Sequence, residues 1–141
     1  MWPCCERRLG RAGSWCDAVG SRFPMSYVFE ICGETVWSPS LRVGELYVRM
    51  LREIASVLGV PAGLSAVASD MWSIDIEFFG ELVNSMHETY FTSSHQVLKA
   101  LIGGVLAPSL VILERGGLGI PPRTEGEREF HDRARRLSMA R

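Results

Sequence analysis

The sequence predicts an α+β protein that is mainly helical, in which an N-terminal β-hairpin packs on about three helices. The prediction rests on two short β-like stretches, two amphipathic stretches that follow them, and one strongly apolar stretch at 97–113. The apolar stretch, VLKALIGGVLAPSLVIL, carries a single charge, at Lys99. A helix that is apolar on nearly every side has to be buried on nearly every side, so we expect the other elements to pack around it.

Composition is that of an ordinary soluble globular protein. The 141 residues are 47% hydrophobic and 22% charged, and one domain is the default at this length. Residues 1–24 hold four Arg against two acids, and residues 123–141 hold six Arg against four acids. Because the formal net charge is −1, the region between carries −5 and assembles no basic face, so no nucleic-acid partner is expected.

The first 24 residues stand apart from the rest of the chain. They show no helical or strand periodicity, and arginines interrupt the apolar core that a signal peptide would need. Two interpretations remain open, a disordered tail or translated sequence upstream of a true start at Met25. In either case the predicted domain, 25–122, contains only Cys32 and cannot form an internal disulfide, which fits a cytoplasmic protein.

The hairpin is predicted from Tyr27–Cys32 and Thr35–Trp37, which are aromatic or β-branched and are separated by Gly33-Glu34. A Gly-X pair between strands favours a type II′ turn, which would pair Ile31 with Val36 and Glu30 with Trp37.

Ser38 and Pro39 are typical of a helix start, as N-cap and first helical residue, and Gly59 is typical of a helix end after Leu58. The residues expected to face the core are Val43, Tyr47, Met50, Leu51, Ile54 and Leu58. The segment that follows this helix consists mostly of small residues that favour a flexible chain. Residues 71–74 form either a third strand of the hairpin or a loop anchored by Trp72.

Asp75 is a plausible N-cap for the next helix, and Glu77 in its first turn suits the helix dipole. The expected apolar face contains Phe78, Phe79, Leu82, Val83, Met86 and Tyr90.

The apolar helix then begins at a cap on Ser93 or Ser94 and ends at Gly116. We expect Leu101, Val105 and Leu110 in the core, close approach of a neighbour at Gly103 and Gly104, and a kink at Pro108. The charged segment 123–141 is expected to form at most a loose helix, because only Phe130 and Leu137 could dock it.

No pattern in the sequence indicates catalysis or a cofactor. Neither a metal-protease motif nor a GxSxG, P-loop or dinucleotide fingerprint is present, and no ligand spacing around His87 or His95 predicts a metal site. Cys32 has no sequence-adjacent base, so we interpret it as a small apolar residue. The sequence therefore favours a non-enzymatic protein without cofactor or metal.

Two sets of residues are candidates for a binding site. Asp75, Glu77, Glu81 and Glu88 form an acidic run on one predicted helix, which is either a solvated face or a surface for a basic partner. Trp37 and Trp72 each end a β-like segment just before a helix, and are either core anchors or the lining of a pocket between hairpin and helices.

The stretch from Met25 to Pro122 resembles a family of small actinobacterial proteins classed only as a domain of unknown function. The resemblance lies in SYVFEICGETVWSPS, LGVPAGL, SDMWSIDIEFF and the long apolar helix. It implies no activity, substrate or catalytic residue.

From the residues we expect a soluble, cytoplasmic protein-binding or regulatory module, for which neutralising a toxin is one role. The alternative is a small-ligand-binding protein with a pocket near Trp37 and Trp72. Neither a nucleic acid nor a membrane is expected as a partner.

Overall fold

The computed structural model describes residues 26–141, so the predictions made for residues 1–24 lie outside it. In chain order the described elements are β1 (Val28–Ile31), β2 (Glu34–Trp37), α1 (Leu41–Leu58), β3 (Leu64–Ala68), β4 (Met71–Ile74), α2 (Ile76–Thr92), α3 (Gln96–Arg115) and α4 (Glu125–Arg135). Helices dominate the described range, which confirms the mainly helical α+β class.

The strands form one sheet in the order β2-β1-β4-β3. β1 pairs antiparallel with β2 and parallel with β4, and β3 pairs antiparallel with β4. The sheet in the described range therefore has four strands rather than the two or three expected. β3 was not predicted, because its small residues are mostly exposed and show no alternation of apolar and polar side chains.

The hairpin turn differs from its prediction. Ile31 pairs with Glu34 and Phe29 with Trp37, so the two turn residues are Cys32 and Gly33. Both have positive φ, 52° and 79°, as a type I′ turn requires and a type II′ turn does not. The predicted turn at Gly33-Glu34 is wrong by one residue.

Helix α1 begins two residues later than predicted. Ser40 is the N-cap, while the Ser38 N–H donates to the Ala140 carbonyl at 2.8 Å. The predicted end is confirmed, because Gly59 adopts the left-handed conformation with φ 71°. The buried face is rotated from its prediction, with the buried residues being Gly44, Tyr47, Val48, Leu51 and Ala55.

The predicted cap of α2 is confirmed. The Asp75 carboxylate accepts hydrogen bonds from the backbone N–H groups of Glu77 and Phe78, at 3.1 and 3.3 Å. For α3 the cap is His95, whose Nδ1 accepts from the Leu98 N–H at 3.2 Å, and not Ser93 or Ser94.

The second half of α3 forms the centre of the core, where Leu106 and Ile112 have no exposed surface. The first half is buried on one side only, because Ile102 and Val105 lie in the core whereas Leu101 is 60% exposed. The predicted burial of Val105 and Leu110 is confirmed. The expectation that this helix is buried on nearly every side, and Leu101 with it, is therefore wrong. By length and composition α3 could cross a membrane, and 44% of its apolar window is buried in the fold.

The two glycines of α3 behave differently. A Cβ on Gly103 would lie 2.9 Å from the Tyr90 ring, so the expected close approach is present there. A Cβ on Gly104 would meet no atom within 4 Å, so the expectation fails at that position.

Helix α4 is docked rather than loose. Phe130 and Ala134 are buried against α3, and the Phe130 ring lies 4.9 Å from that of Tyr90 and 5.7 Å from that of Phe91. Leu137, which we expected to dock, is 44% exposed. The sequence pattern did not predict the docking of α4, because the buried face of this helix includes a glutamate and a histidine beside its two apolar residues.

Candidate functional site

The acidic run lies on the outer surface of α2 and at its N-terminus. Glu77, Glu81 and Glu88 are exposed and follow one another at spacings of four and seven, so they form one stripe about 17 Å long. Asp75 is also exposed, but its carboxylate is engaged in capping the helix. We call Glu77, Glu81 and Glu88 the acidic stripe.

None of the ion pairs in the described part of the chain involves the acidic stripe. They join Arg49 to Glu45, Arg128 to Glu125, and Arg135 to Glu114 and Asp132. Phe78 lies at the margin of the stripe with 48% of its surface exposed. The stripe thus combines negative charge that no ion pair in residues 26–141 neutralises with an exposed aromatic ring. Charge of one sign steers a partner of the opposite charge, and aromatic residues are enriched at interfaces.

Trp37 lies inside an aromatic cluster. Its ring stacks on Phe29 with centroids 5.3 Å apart and meets the edge of Tyr47 at 5.2 Å. Only 6% of its surface is exposed. In this position the indole contributes to the contact between the sheet and α1.

Trp72 occupies the same face of the sheet, because Phe29 pairs with Trp37 on one side and with Trp72 on the other. The Arg52 guanidinium lies 5.7 Å from the Trp72 ring centroid. The Trp72 Nε1 is buried without a hydrogen-bond partner. A buried donor without an acceptor costs free energy, so this atom marks an unsatisfied position in the fold.

An open cleft of about 520 Å³ lies between the end of α1, the loop that follows it and the start of α2. Neither Trp37 nor Trp72 lines it. Arg52, which stacks on Trp72, and Asp75, which caps α2, both do. Arg52 therefore takes part both in the lining of the cleft and in the contact with the Trp72 ring.

A histidine pair joins α2 to α4. Nε2 of His87 lies 3.0 Å from Nε2 of His131, and both side chains are buried. One ring donates its N–H and the other accepts with its lone pair, so the accepting ring must be neutral. We expected His87 beside the apolar face, but no local pattern could have shown its partner 44 residues away.

The environment of the pair disfavours protonation. Burial lowers the pKa of His87 and of His131, and the proximity of His131 lowers that of His87 further. Glu127 acts in the opposite direction on both rings. The Arg123 N–H donates to the Glu127 carboxylate at 2.6 Å, which keeps the pKa of that acid low and its charge in place.

A metal would need more donors than this pair provides. Within residues 26–141, no group of three or more His, Cys, Asp or Glu side chains is arranged to hold a metal ion.

Comparison with known proteins identifies a family without an assigned function. No curated protein and no solved structure gives a significant match to the chain. The model of the family of unknown function DUF6086 matches residues 25–141, which is most of the chain and includes α4. The chain belongs to this uncharacterised family.

Proposed function

We propose that this chain is a protein-binding module with a regulatory role, which presents the acidic stripe of α2 to a basic surface on a partner protein. Neutralising a toxin is one role of this kind. The observation that carries the proposal is the row of three exposed carboxylates, none of which has an ion-pair partner in the described part of the chain.

The arrangement on α2 supports this function in two ways. Glu77, Glu81 and Glu88 lie on one helix, so their backbone spacing is fixed before a partner arrives and little backbone entropy is lost on binding. Phe78 adds an apolar contact at the margin, and aromatic side chains frequently dominate the energy of an interface.

A pull-down from an extract of the native host tests the proposal. The bait is the wild-type chain, the triple variant Glu77→Gln/Glu81→Gln/Glu88→Gln, or a control triple variant Glu34→Gln/Glu125→Gln/Glu129→Gln. Both variants lose three negative charges from exposed positions, so a general effect of net charge would affect them alike.

We expect wild type and control to retain the same basic protein, eluted by salt, and the α2 variant to lose it. Charge contacts at an interface rim are screened by salt, which explains the elution. Equal recovery by both variants would show that the stripe is only solvated surface.

A second candidate function, binding of a small ligand, is favoured by the open cleft of about 520 Å³, which is lined by Arg52 beside its contact with the Trp72 ring. Anilinonaphthalene sulfonate, an apolar anion, is a suitable probe. We expect it to quench tryptophan emission in wild type and to do so less in Arg52→Gln. Identical quenching by the two proteins would argue against a ligand site at the cleft.

A further inference from the structure

Strand β3 forms one edge of the sheet, and its outer side pairs with no strand in residues 26–141. The residues from Ser65 to Ala68 are all exposed. Because successive side chains of a strand point to opposite faces, both faces of the sheet are open along this stretch. The strand contains neither a charge nor a proline, which natural proteins use to protect an edge from pairing. A β-bulge, which is another such protection, is confined to Val67 and leaves residues 64–66 in regular register.

The register of β3 against β4 determines which backbone groups face outward. The Asp75 N–H donates to the Gly63 carbonyl at 2.8 Å, which makes these two positions a hydrogen-bonded pair. Since hydrogen-bonded and non-hydrogen-bonded pairs alternate in an antiparallel ladder, the N–H and C=O groups of Leu64 and Ala66 point away from β4. No backbone group in residues 26–141 pairs with them on that side. The free edge therefore offers a donor and an acceptor from each of these residues, in the geometry of a strand.

The opposite edge strand, β2, is bordered by the C-terminal part of the chain itself. The Arg115 guanidinium donates to the Val36 carbonyl at 2.6 Å. Just after the strand, the Ser38 N–H donates to the Ala140 carbonyl at 2.8 Å. The two edges of the sheet therefore differ, and β3 is the one at which an additional strand can pair.

The free edge of β3 is continuous with the cleft and with the acidic stripe. Leu64 lines the cleft together with Phe78, which lies at the margin of the stripe. The chain just before β3 lies against the first turn of α2, because a Cβ on Gly63 would come within 2.6 Å of the Phe79 nitrogen. Glu77 lies in that same turn. A segment that pairs with β3 and extends beyond Leu64 therefore comes next to the first carboxylate of the stripe.

From this continuity we propose that the partner docks through an extended basic segment, which adds a strand to the free edge of β3 and places lysine or arginine side chains beside Glu77 and Glu81. An extended backbone matches the donors and acceptors of a strand edge whatever its sequence. The stripe then selects positive charge, because no ion pair in residues 26–141 engages its carboxylates. The proposal rests on the function proposed for the acidic stripe, and adds to it the conformation of the partner segment and a second contact surface.

Binding of synthetic peptides to the full chain tests this mode of docking. The probe is a short fluorescein-labelled peptide of alternating valine and lysine, since β-branched residues favour an extended chain. The charge control alternates valine and glutamate. We expect fluorescence anisotropy to show saturable binding of the basic peptide and none of the acidic one. A basic peptide that does not bind, or an acidic peptide that binds equally well, would overturn the proposal.

A proline on the free edge tests the role of β3. Ala66→Pro removes an N–H that points outward, so the ladder with β4 keeps its hydrogen bonds. Ala66→Val keeps the N–H and is the matched control. We expect the proline variant to raise the dissociation constant of the basic peptide about tenfold, because a hydrogen bond is lost and the ring lies where the added strand would pass. The control should bind as wild type does, and thermal unfolding checks that both variants fold.

Comparison with Glu77→Gln/Glu81→Gln/Glu88→Gln separates the two proposals. If this triple variant loses the basic peptide and Ala66→Pro retains it, the stripe binds the partner without β3 and strand addition is overturned. If Ala66→Pro loses the peptide and the triple variant retains it, β3 pairs with extended chains but the function proposed for the stripe is overturned. Loss in both variants is the result that we expect.

Amide hydrogen exchange of the wild-type full chain gives a measurement that needs no variant. In the free protein the Leu64 and Ala66 amides should exchange rapidly, and the Ser65 amide, which faces β4, more slowly. The bound basic peptide should slow the exchange of the first two. If it does not, strand addition is overturned. Leu64 and Ala66 amides that are already protected in the free protein would show that another part of the chain or a second copy occupies the edge, which would also overturn the proposal, and sedimentation equilibrium would identify which of the two it is.

Discussion

Ser109 links α3 to α1 through a chain of two hydrogen bonds in the core. Its hydroxyl donates to the Val105 carbonyl at 2.7 Å and accepts from the Tyr47 hydroxyl at 2.7 Å. Burial raises the pKa of Tyr47 above its ordinary range, so the phenol keeps its proton and remains the donor. Ser109 follows Pro108, so this contact lies in the turn of α3 where proline removes a backbone donor.

We predict that Ser109→Ala destabilises the fold more than Tyr47→Phe. Removing the phenol oxygen leaves Ser109 bonded to Val105 and costs about 1 kcal/mol, whereas removing the serine oxygen leaves a buried phenol without an acceptor and costs about 1–3 kcal/mol. Urea unfolding measures both free energies. The double variant should cost less than the sum of the two, and a larger loss for Tyr47→Phe would contradict donation from the phenol to the serine.

Among the helices, we expect the docking of α4 on α2 to depend on the protonation state of the His87–His131 pair. If both rings of His87 and His131 carried a proton on Nε2, two N–H groups would point at each other across 3.0 Å. Both pKa values are lowered by burial in the folded state, so the unfolded chain binds protons more readily than the folded one. Stability is then fully present above the unfolded histidine pKa of about 6.5 and decreases as the pH falls through the folded values.

We predict that the free energy of unfolding falls as the pH decreases below about 6.5, by up to about 1.4 kcal/mol per pH unit for each histidine. His87→Leu/His131→Leu removes both partners together and should flatten the dependence over this range. His95→Asn, which keeps a cap at α3, is the control and should retain it. An unchanged slope in the double leucine variant would assign the pH dependence to other groups.

Across the molecule, local chemistry could be predicted from the sequence and long-range packing could not. The Asp75 cap and the Gly59 stop each depend on a few adjacent residues, and both were predicted correctly. The same local logic placed the cap of α3 within two residues, although His95 rather than a serine supplies the acceptor.

The errors arise at positions whose burial or hydrogen-bond partner depends on an element that is distant in sequence. Leu101 is as apolar as Leu106, and only the tertiary structure leaves one exposed and buries the other. The acidic stripe was found because helical periodicity alone predicts it. The histidine pair was missed because its partners are far apart in sequence.

Ser38 contacts both the beginning and the end of the described chain. Its hydroxyl donates to the Ser26 hydroxyl at 3.3 Å, and its N–H donates to the Ala140 carbonyl at 2.8 Å. Residues 26 and 140 are thus neighbours in space. Joining the two ends and opening the chain at another exposed position should therefore leave the packing of the elements unchanged. A circular permutant of 26–141, with Arg141 linked to Ser26 by a short glycine linker and new termini at exposed Gly119, should keep the wild-type circular dichroism spectrum. A permutant without helical signal would show that the connection between α3 and α4 must be continuous for the protein to fold.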